Sequence, residues 1–390
     1  LPDHRTTILF AIPALDKGGP DRVLFELLRG LDRSRFRPML AVSAATGHYL
    51  EKLPEDVVVH HLPAERGALT RYPVLALARL VRRVKPDLVF ATLRMAMTAG
   101  LARLFFPRGT RLILRIANQV SQNFAELQRR SPIKHRLSFR LQMLALAQAD
   151  RIICQSSDMA QDLRHLGVKP PITVIGNPVE IAEVARQAVP AASLPGRPAL
   201  LGVGRLTPQK GFDVLLDAMA VVRQEHPEAV LSIAGDGPDR TNLSERARQL
   251  GIESAVNFLG FIGNPYPLMA GADLFVLASR YEGFPNVCLE ALAVGKPVVA
   301  TDCPGGTRDV VVPGTTGWLA QPENAADLAR VIAQALAESP RRDRARAARF
   351  LEQHFGAAHI LAKYEAILAL SAQDAPPPAL RRIAEQAESS

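Results

Sequence analysis

Cysteine is scarce in this chain. Three residues, Cys154, Cys288 and Cys303, are spread over 390 positions, with no Cys-x-x-Cys pair and no zinc-ligand spacing. That excludes a disulfide-stapled scaffold and a zinc module, leaves buried core thiols, and fits a reducing cytosol. Nine histidines, including His60-His61, show no ligand spacing either, and no Asp-x-Asp pair offers a carboxylate site for a metal. Aromatic residues make up only 5%. With no stacking platform, zinc finger or RNA-binding signature, nucleic acid is not an expected partner. No apolar run reaches the ~18 residues that a membrane span requires. No secretory signal opens the chain, so a cytoplasmic location is expected. A Walker loop is also missing.

What is present is the material of a globular protein of two or three domains: 48% hydrophobic and 22% charged residues. The net charge of +9 is unevenly placed. Residues 1–178 hold 27 Lys/Arg against 14 Asp/Glu, and the remainder 20 against 24. The excess in the first half points to an anionic partner such as a membrane surface or a lipid phosphate.

Two similar halves run along the chain. The first offers apolar strands at 7–12, 38–42, 57–62, 87–91, 111–115 and 151–154, with helical stretches between most of them. The second offers strands at 199–203, 229–234, 256–259, 274–278 and 297–300. Strands alternating with helices make parallel, doubly wound sheets. The expected fold class is therefore α/β, with two Rossmann-like domains facing a cleft between their strand carboxyl ends. The expected boundaries are a first domain at 1–178, a Pro/Ala/Gly-rich linker at 179–198 and a second domain at 199–356. A helix at 357–370 would rejoin the first domain, ahead of a tail at 371–390.

The densest chemistry lies in Tyr281-Glu282-Gly283-Phe284-Pro285-Asn286-Val287-Cys288-Leu289-Glu290. A buried strand precedes it and helical spacing follows, so Glu282 sits in a loop at a strand's carboxyl end and Glu290 in the first turns of a helix. Ligands bind at that edge of an open α/β sheet, and a helix amino terminus offers amides to an anion. Amides for a phosphate and two glutamates for hydroxyls describe a nucleotide-sugar. The second domain's first strand runs into Gly202-Val-Gly204-Arg205-Leu-Thr-Pro-Gln-Lys210-Gly211, adding two cations suited to phosphate. It is not a nicotinamide fingerprint, because Thr207 stands where the third glycine belongs. Gly235-Asp236-Gly237 is a third glycine loop after a strand, and Gly18-Gly19 in the first domain precedes a helix that offers backbone amides.

Together these motifs resemble retaining glycosyltransferases of the GT-B fold, family 4, also called glycosyl transferases group 1. The likeness rests on Gly204-Arg205 with Lys210-Gly211, Gly235-Asp236-Gly237, Glu282-Gly-Phe-Pro-Asn286 with Glu290, Gly295-Lys-Pro-Val-Val-Ala-Thr301 and Gly314-Thr-Thr-Gly-Trp-Leu319. It covers most of 199–320; the first domain matches only in pattern. The resemblance implies that Arg205 and Lys210 neutralise the donor's diphosphate, that Glu290 holds the ribose and Glu282 the donor sugar. The amides from Phe284 to Val287 would meet the phosphates. It implies no cofactor and no metal, since two cations meet the diphosphate.

The chain departs from the pattern in its first domain. A histidine is often found after the fifth strand, where this chain has Arg115-Ile-Ala-Asn118; Asn118 and Arg115 are the acceptor-side candidates. Pro20-Asp21 follows the glycine pair in place of a small residue and Glu. The segment 126–148 mixes Arg129, Arg130, Lys134, His135, Arg136 and Arg140 with Leu127, Ile133, Leu137, Phe139, Leu141 and Leu144, as interfacial helices do. Leu101–Arg108 adds more of the same. The expected acceptor is lipid-linked or a polysaccharide or glycolipid precursor, at the inner membrane face. Sugar-nucleotide epimerisation on the same fold, and nonenzymatic nucleotide-sugar binding, are the alternatives.

Overall fold

A computed structural model describes residues 4–16, 19–44, 46–62, 73–122, 132–339 and 343–373; the side chains of 132–135 and 373 fall outside the description. The chain divides into two compact units, one of residues 1–175 with 360–390 and one of residues 176–359.

Unit 1 holds seven strands: β1 (Thr6–Ile12), β2 (Phe36–Val42), β3 (Val58–His61), β4 (Leu88–Thr92), β5 (Arg111–Ile116), β6 (Arg151–Cys154) and β7 (Ile172–Val174). They pair in parallel in the order β3-β2-β1-β4-β5-β6-β7. Unit 2 holds six: β8 (Ala199–Val203), β9 (Val230–Ala234), β10 (Val256–Gly260), β11 (Leu274–Leu277), β12 (Val298–Thr301) and β13 (Gly317–Ala320). These are again parallel, ordered β10-β9-β8-β11-β12-β13. Both sheets are doubly wound, and their order reverses between β1 and β4 in unit 1 and between β8 and β11 in unit 2.

The continuous apolar runs become strands because both faces of each sheet are covered. Along β1, Leu9 and Ala11 join one core while Ile8, Phe10 and Ile12 join the other. In unit 2, Leu200 faces one core, and Ala199 and Leu201 the opposite one. The last helix, Ala357–Gln373, supplies Ile360, Tyr364 and Leu368 to the core that holds Phe10 and Phe90. A repeated device sets the register of neighbouring strands. An aspartate just ahead of one strand accepts the first or second amide of its neighbour: Asp87 from Thr7 (2.9 Å), Asp150 from Leu112 (2.7 Å), Asp273 from Ala199 (2.8 Å).

Two strands lie beyond the sequence expectation. β7 is three residues long and follows Pro170-Pro171, and β13 is four residues long after a turn at Gly314, which has φ +72°. Both are edge strands, too short for their apolar pattern to stand out. Among the described residues no helix is long and apolar enough to cross a membrane.

Candidate active site

The reversal point of the second sheet gathers most of the singled-out residues. β8 leads into Gly204 and Arg205, and β11 into Ser279 and Glu282. Lys210 Nζ lies 2.7 Å from Glu282 Oε1, and Ser279 Oγ donates to the same oxygen at 2.6 Å. Glu282 is 6% exposed and the Lys210 side chain 19%. Glu282 Oε2 takes no hydrogen bond from the described residues. A buried carboxylate is thus held on one oxygen by an ammonium and a hydroxyl, with its second oxygen uncommitted.

Close backbone packing builds the rest of this edge. Gly235, with φ +151°, has no room for a side chain, since a Cβ there would meet Gly204 O at 1.8 Å. At Gly211, with φ +60°, a Cβ would meet Ala278 O at 2.0 Å. Each glycine is needed so that loops from adjacent strands can touch. The Lys210 stem runs over Gly204, 3.5 Å from where a Cβ would stand. Arg205 is exposed, with no ion pair among the described residues. Asp236 is exposed too, and its carboxylate accepts from the amide of Gly237 at 2.8 Å.

The Glu282 loop is clamped from outside. Arg280 donates to Asp213 (2.9 and 2.7 Å), to Glu323 (2.8 Å) and to Pro208 O (2.6 Å). The Arg280 guanidinium holds the Asp213 carboxyl below the usual carboxylate range. Glu282 N donates to Pro304 O at 2.9 Å, and Gly305, with φ +116°, leaves only 1.7 Å between a Cβ and Glu282 O. The helix Asn286–Ala293 begins directly after this loop. Phe284 packs against Phe355, and Asn286 Oδ1 accepts from Asn177 at 2.8 Å. Glu290 is half-buried, with Tyr266 Oη 3.4 Å from its Oε1. Gly283, Pro285 and Val287 complete the turn.

Cys288 and Cys303 lie fully buried nearby. Burial, reinforced by the charge of Glu282, drives Cys288 well above the usual thiol range and Cys303 up to about 11. Both thiols therefore stay protonated, and neither offers a thiolate nucleophile. Ser279, Pro304 and Gly305 belong to the site without having stood out in the sequence. The one available signal was the pair Gly305-Gly306 after β12, which matches the glycine loops after β8 and β9.

The remaining candidates belong to unit 1. Gly18 lies outside the described residues, and Gly19 opens the helix Gly19–Gly30. Asn118 is exposed just beyond β5, in a segment anchored where Asp162 accepts from the amides of Val120 (2.9 Å) and Ser121 (3.2 Å). Arg115 is 1% exposed and donates to Tyr364 Oη at 3.0 Å, tying the last helix to the sheet. In the basic segment, Leu127, Arg129 and Arg130 lie outside the described residues, as do the side chains of Ile133, Lys134 and His135. The rest forms the helix Pro132–Ala147, with Arg136, Leu137, Arg140 and Leu144 exposed.

Two doubly wound units of this kind make up the GT-B class of fold. Residues 17–183 match the family described as Glycosyltransferase Family 4, and residues 187–349 match Glycosyl transferases group 1. The lipopolysaccharide core biosynthesis glycosyltransferase LpsE of Rhizobium meliloti is 34% identical over 50% of this chain, which spans about half of that relative (56%). A Campylobacter jejuni protein, N-acetylgalactosamine-N,N'-diacetylbacillosaminyl-diphospho-undecaprenol 4-alpha-N-acetylgalactosaminyltransferase, is 28% identical over 80% of this chain and 85% of its own. The crystal structure of Anabaena HepE in complex with UDP-glucose superposes with a TM-score of 0.71 at 22% identity, covering 94% of this chain and 100% of that one. This structural likeness shows the fold. The chain belongs to the family 4, group 1 glycosyltransferases.

Proposed function

We propose that this chain is a retaining glycosyltransferase. It moves a sugar from a nucleoside-diphosphate sugar to a hydroxyl of a lipid-linked or saccharide acceptor, at the inner face of a membrane. The observation that carries the reading is the Lys210–Glu282–Ser279 cluster at the sheet's reversal point, the edge where ligands of doubly wound sheets bind. HepE, of the same fold, has been crystallised with UDP-glucose.

Arg205 and Lys210 take the diphosphate, joined by the amides of Phe284 to Val287 and the backbone around Gly204, Gly235 and Asp236. Glu290 holds the ribose, and Glu282 uses Oε2 for a donor-sugar hydroxyl. As the anomeric carbon–phosphate oxygen bond breaks, the two cations stabilise the leaving charge. The acceptor oxygen bonds to the same face of that carbon, and its proton passes to the departing phosphate. Catalysis then comes from positioning and charge stabilisation, with no protein base and no metal. In unit 1, Gly19 and Asn118 serve the substrates, and Arg115 holds the unit's last helix.

The membrane part rests on unit 1. Leu104 and Phe105 are 77% and 40% exposed, and Leu137 and Leu144 are 63% and 52% exposed, beside Arg136 and Arg140. The helix Arg94–Ala102, just ahead of Leu104 and Phe105, packs on the helix that carries Leu137 and Leu144, for Gly100 has no room for a Cβ against Ala145. The test incubates the protein with UDP-, GDP- and ADP-sugars, with and without a polyprenyl-phosphate-linked saccharide, and follows product anomers by NMR. Transfer from one donor with the anomeric configuration kept is expected. Inverted product would overturn the retaining reading. Processing of the donor alone, with no transfer, would favour epimerisation.

A further inference from the structure

At the opposite, amino-terminal edge of the second sheet, a cavity of about 90 Å³ opens where Lys296-Pro297 lead into β12. Its walls include Leu292, Pro297 and Ala347, and its polar groups are Lys296, Arg344 and Ser339. Neither cation has a carboxylate within salt-bridge distance among the described residues. The Asp273 carboxylate, whose charge acts on Lys296 without forming a salt bridge, accepts from the amide of Ala199 at 2.8 Å. Burial, and then the like charge of Arg344, pull the Lys296 ammonium below the ordinary lysine range. Two cations with no salt bridge among the described residues, one of them half-buried, thus line a single cavity, and their mutual repulsion is relieved when an anion enters.

We propose that this cavity binds a phosphate group, gripped by Lys296 and Arg344 with the Ser339 hydroxyl beside them. Arg344 suits a tetrahedral oxyanion through paired donors, and Lys296 serves as a point charge. The volume is far below the roughly 300–1,000 Å³ of pockets that enclose a whole organic ligand, so the ligand is inorganic phosphate or the phosphate end of a monoester. Gly295, Arg344 and Ala348 at the rim are exposed, leaving an ester's remaining body in solvent. The site is separate from Arg205 and Lys210, which lie at the carboxyl edge of the same sheet, and it does not depend on the proposed reaction.

Calorimetric titration of inorganic phosphate at low ionic strength tests this on the wild type, Lys296→Gln, Arg344→Gln, Lys296→Arg and Lys210→Met. Losing one charge-assisted partner should weaken binding by about tenfold or more in Lys296→Gln and in Arg344→Gln. Lys296→Arg, which keeps the charge, should retain it, and the binding component lost in Lys296→Gln should persist in Lys210→Met. A parallel titration with glucose 6-phosphate separates the sources: tighter binding names a monoester, equal binding names free phosphate. Absence of binding in the wild type overturns the proposal. Binding lost in Lys210→Met but kept in Lys296→Gln also overturns it, by assigning the phosphate to the carboxyl edge.

Discussion

Replacing Lys210 with Met should markedly destabilise unit 2. The substitution keeps most of the stem over Gly204 but leaves Glu282, 6% exposed, without its ammonium partner at 2.7 Å. Stranding one member of a buried pair costs about 3–5 kcal/mol. Because the Lys210 side chain is 19% exposed, water reaches part of the site, and about 3 kcal/mol is the expected loss. Unit 2 runs from 176 to 359, a size at which each kcal/mol shifts Tm by roughly 2–4 °C. The calorimetric transition of unit 2 should therefore fall by about 6–12 °C. Glu282→Gln should cost less, about 1–2 kcal/mol, since Ser279 still has an oxygen to bond and Lys210 can turn to water. The double variant should be no worse than Glu282→Gln, giving a coupling of about 3 kcal/mol. Additive losses, or a Lys210→Met melting point unchanged at neutral pH, would refute the buried pair.

Gly305→Ala places a Cβ 1.7 Å from Glu282 O at a φ of +116°; it should cost about 3 kcal/mol or more and lower donor affinity, read by urea unfolding and nucleotide titration. Tyr364→Phe removes the hydroxyl that Arg115 reaches at 3.0 Å and should cost about 1–3 kcal/mol in urea unfolding; a silent change would mean that this contact does not anchor the last helix. Asp213 has a folded-state pKa lowered by its hydrogen bond to Arg280. Its stabilisation is present above the unfolded value and lost as pH falls through the folded one. The stability gap between wild type and Asp213→Asn should thus shrink as pH falls below about 5, and a gap that widens there would contradict the pairing. Transfer should survive EDTA, and loss of rate restored by a divalent cation would end the metal-independent reading.

The fold was legible because buried parallel strands leave unbroken apolar runs, as Leu274–Leu277 and Val298–Thr301 do, and because glycine loops mark their carboxyl ends. What escaped was long-range. Lys210 and Glu282 are 72 residues apart, and nothing in either segment says that the cation reaches the carboxylate directly. Ser279 reads as an ordinary residue after a strand until its hydroxyl is seen on Glu282. Arg115 stood out as a polar residue near a strand end, yet its partner Tyr364 lies 249 positions away, in a helix whose pattern does not name the sheet it covers. Lys296 stands in the sequence only as a member of the Gly295–Thr301 motif, and only the helix beginning at Arg344 turns it into the wall of a cavity.

The central claim is a nucleoside-diphosphate site built on Lys210. The most direct measurement is the melting shift of unit 2 produced by UDP, GDP and ADP, compared between wild type and Lys210→Met as a ligand-induced difference. A diphosphate present at ~100 times its Kd adds about 2.7 kcal/mol to the folded state, some 5–11 °C for a unit of this size. One of the three should produce that rise in the wild type and little of it in the variant. No rise with any diphosphate, or an equal rise in both proteins, would contradict the assignment.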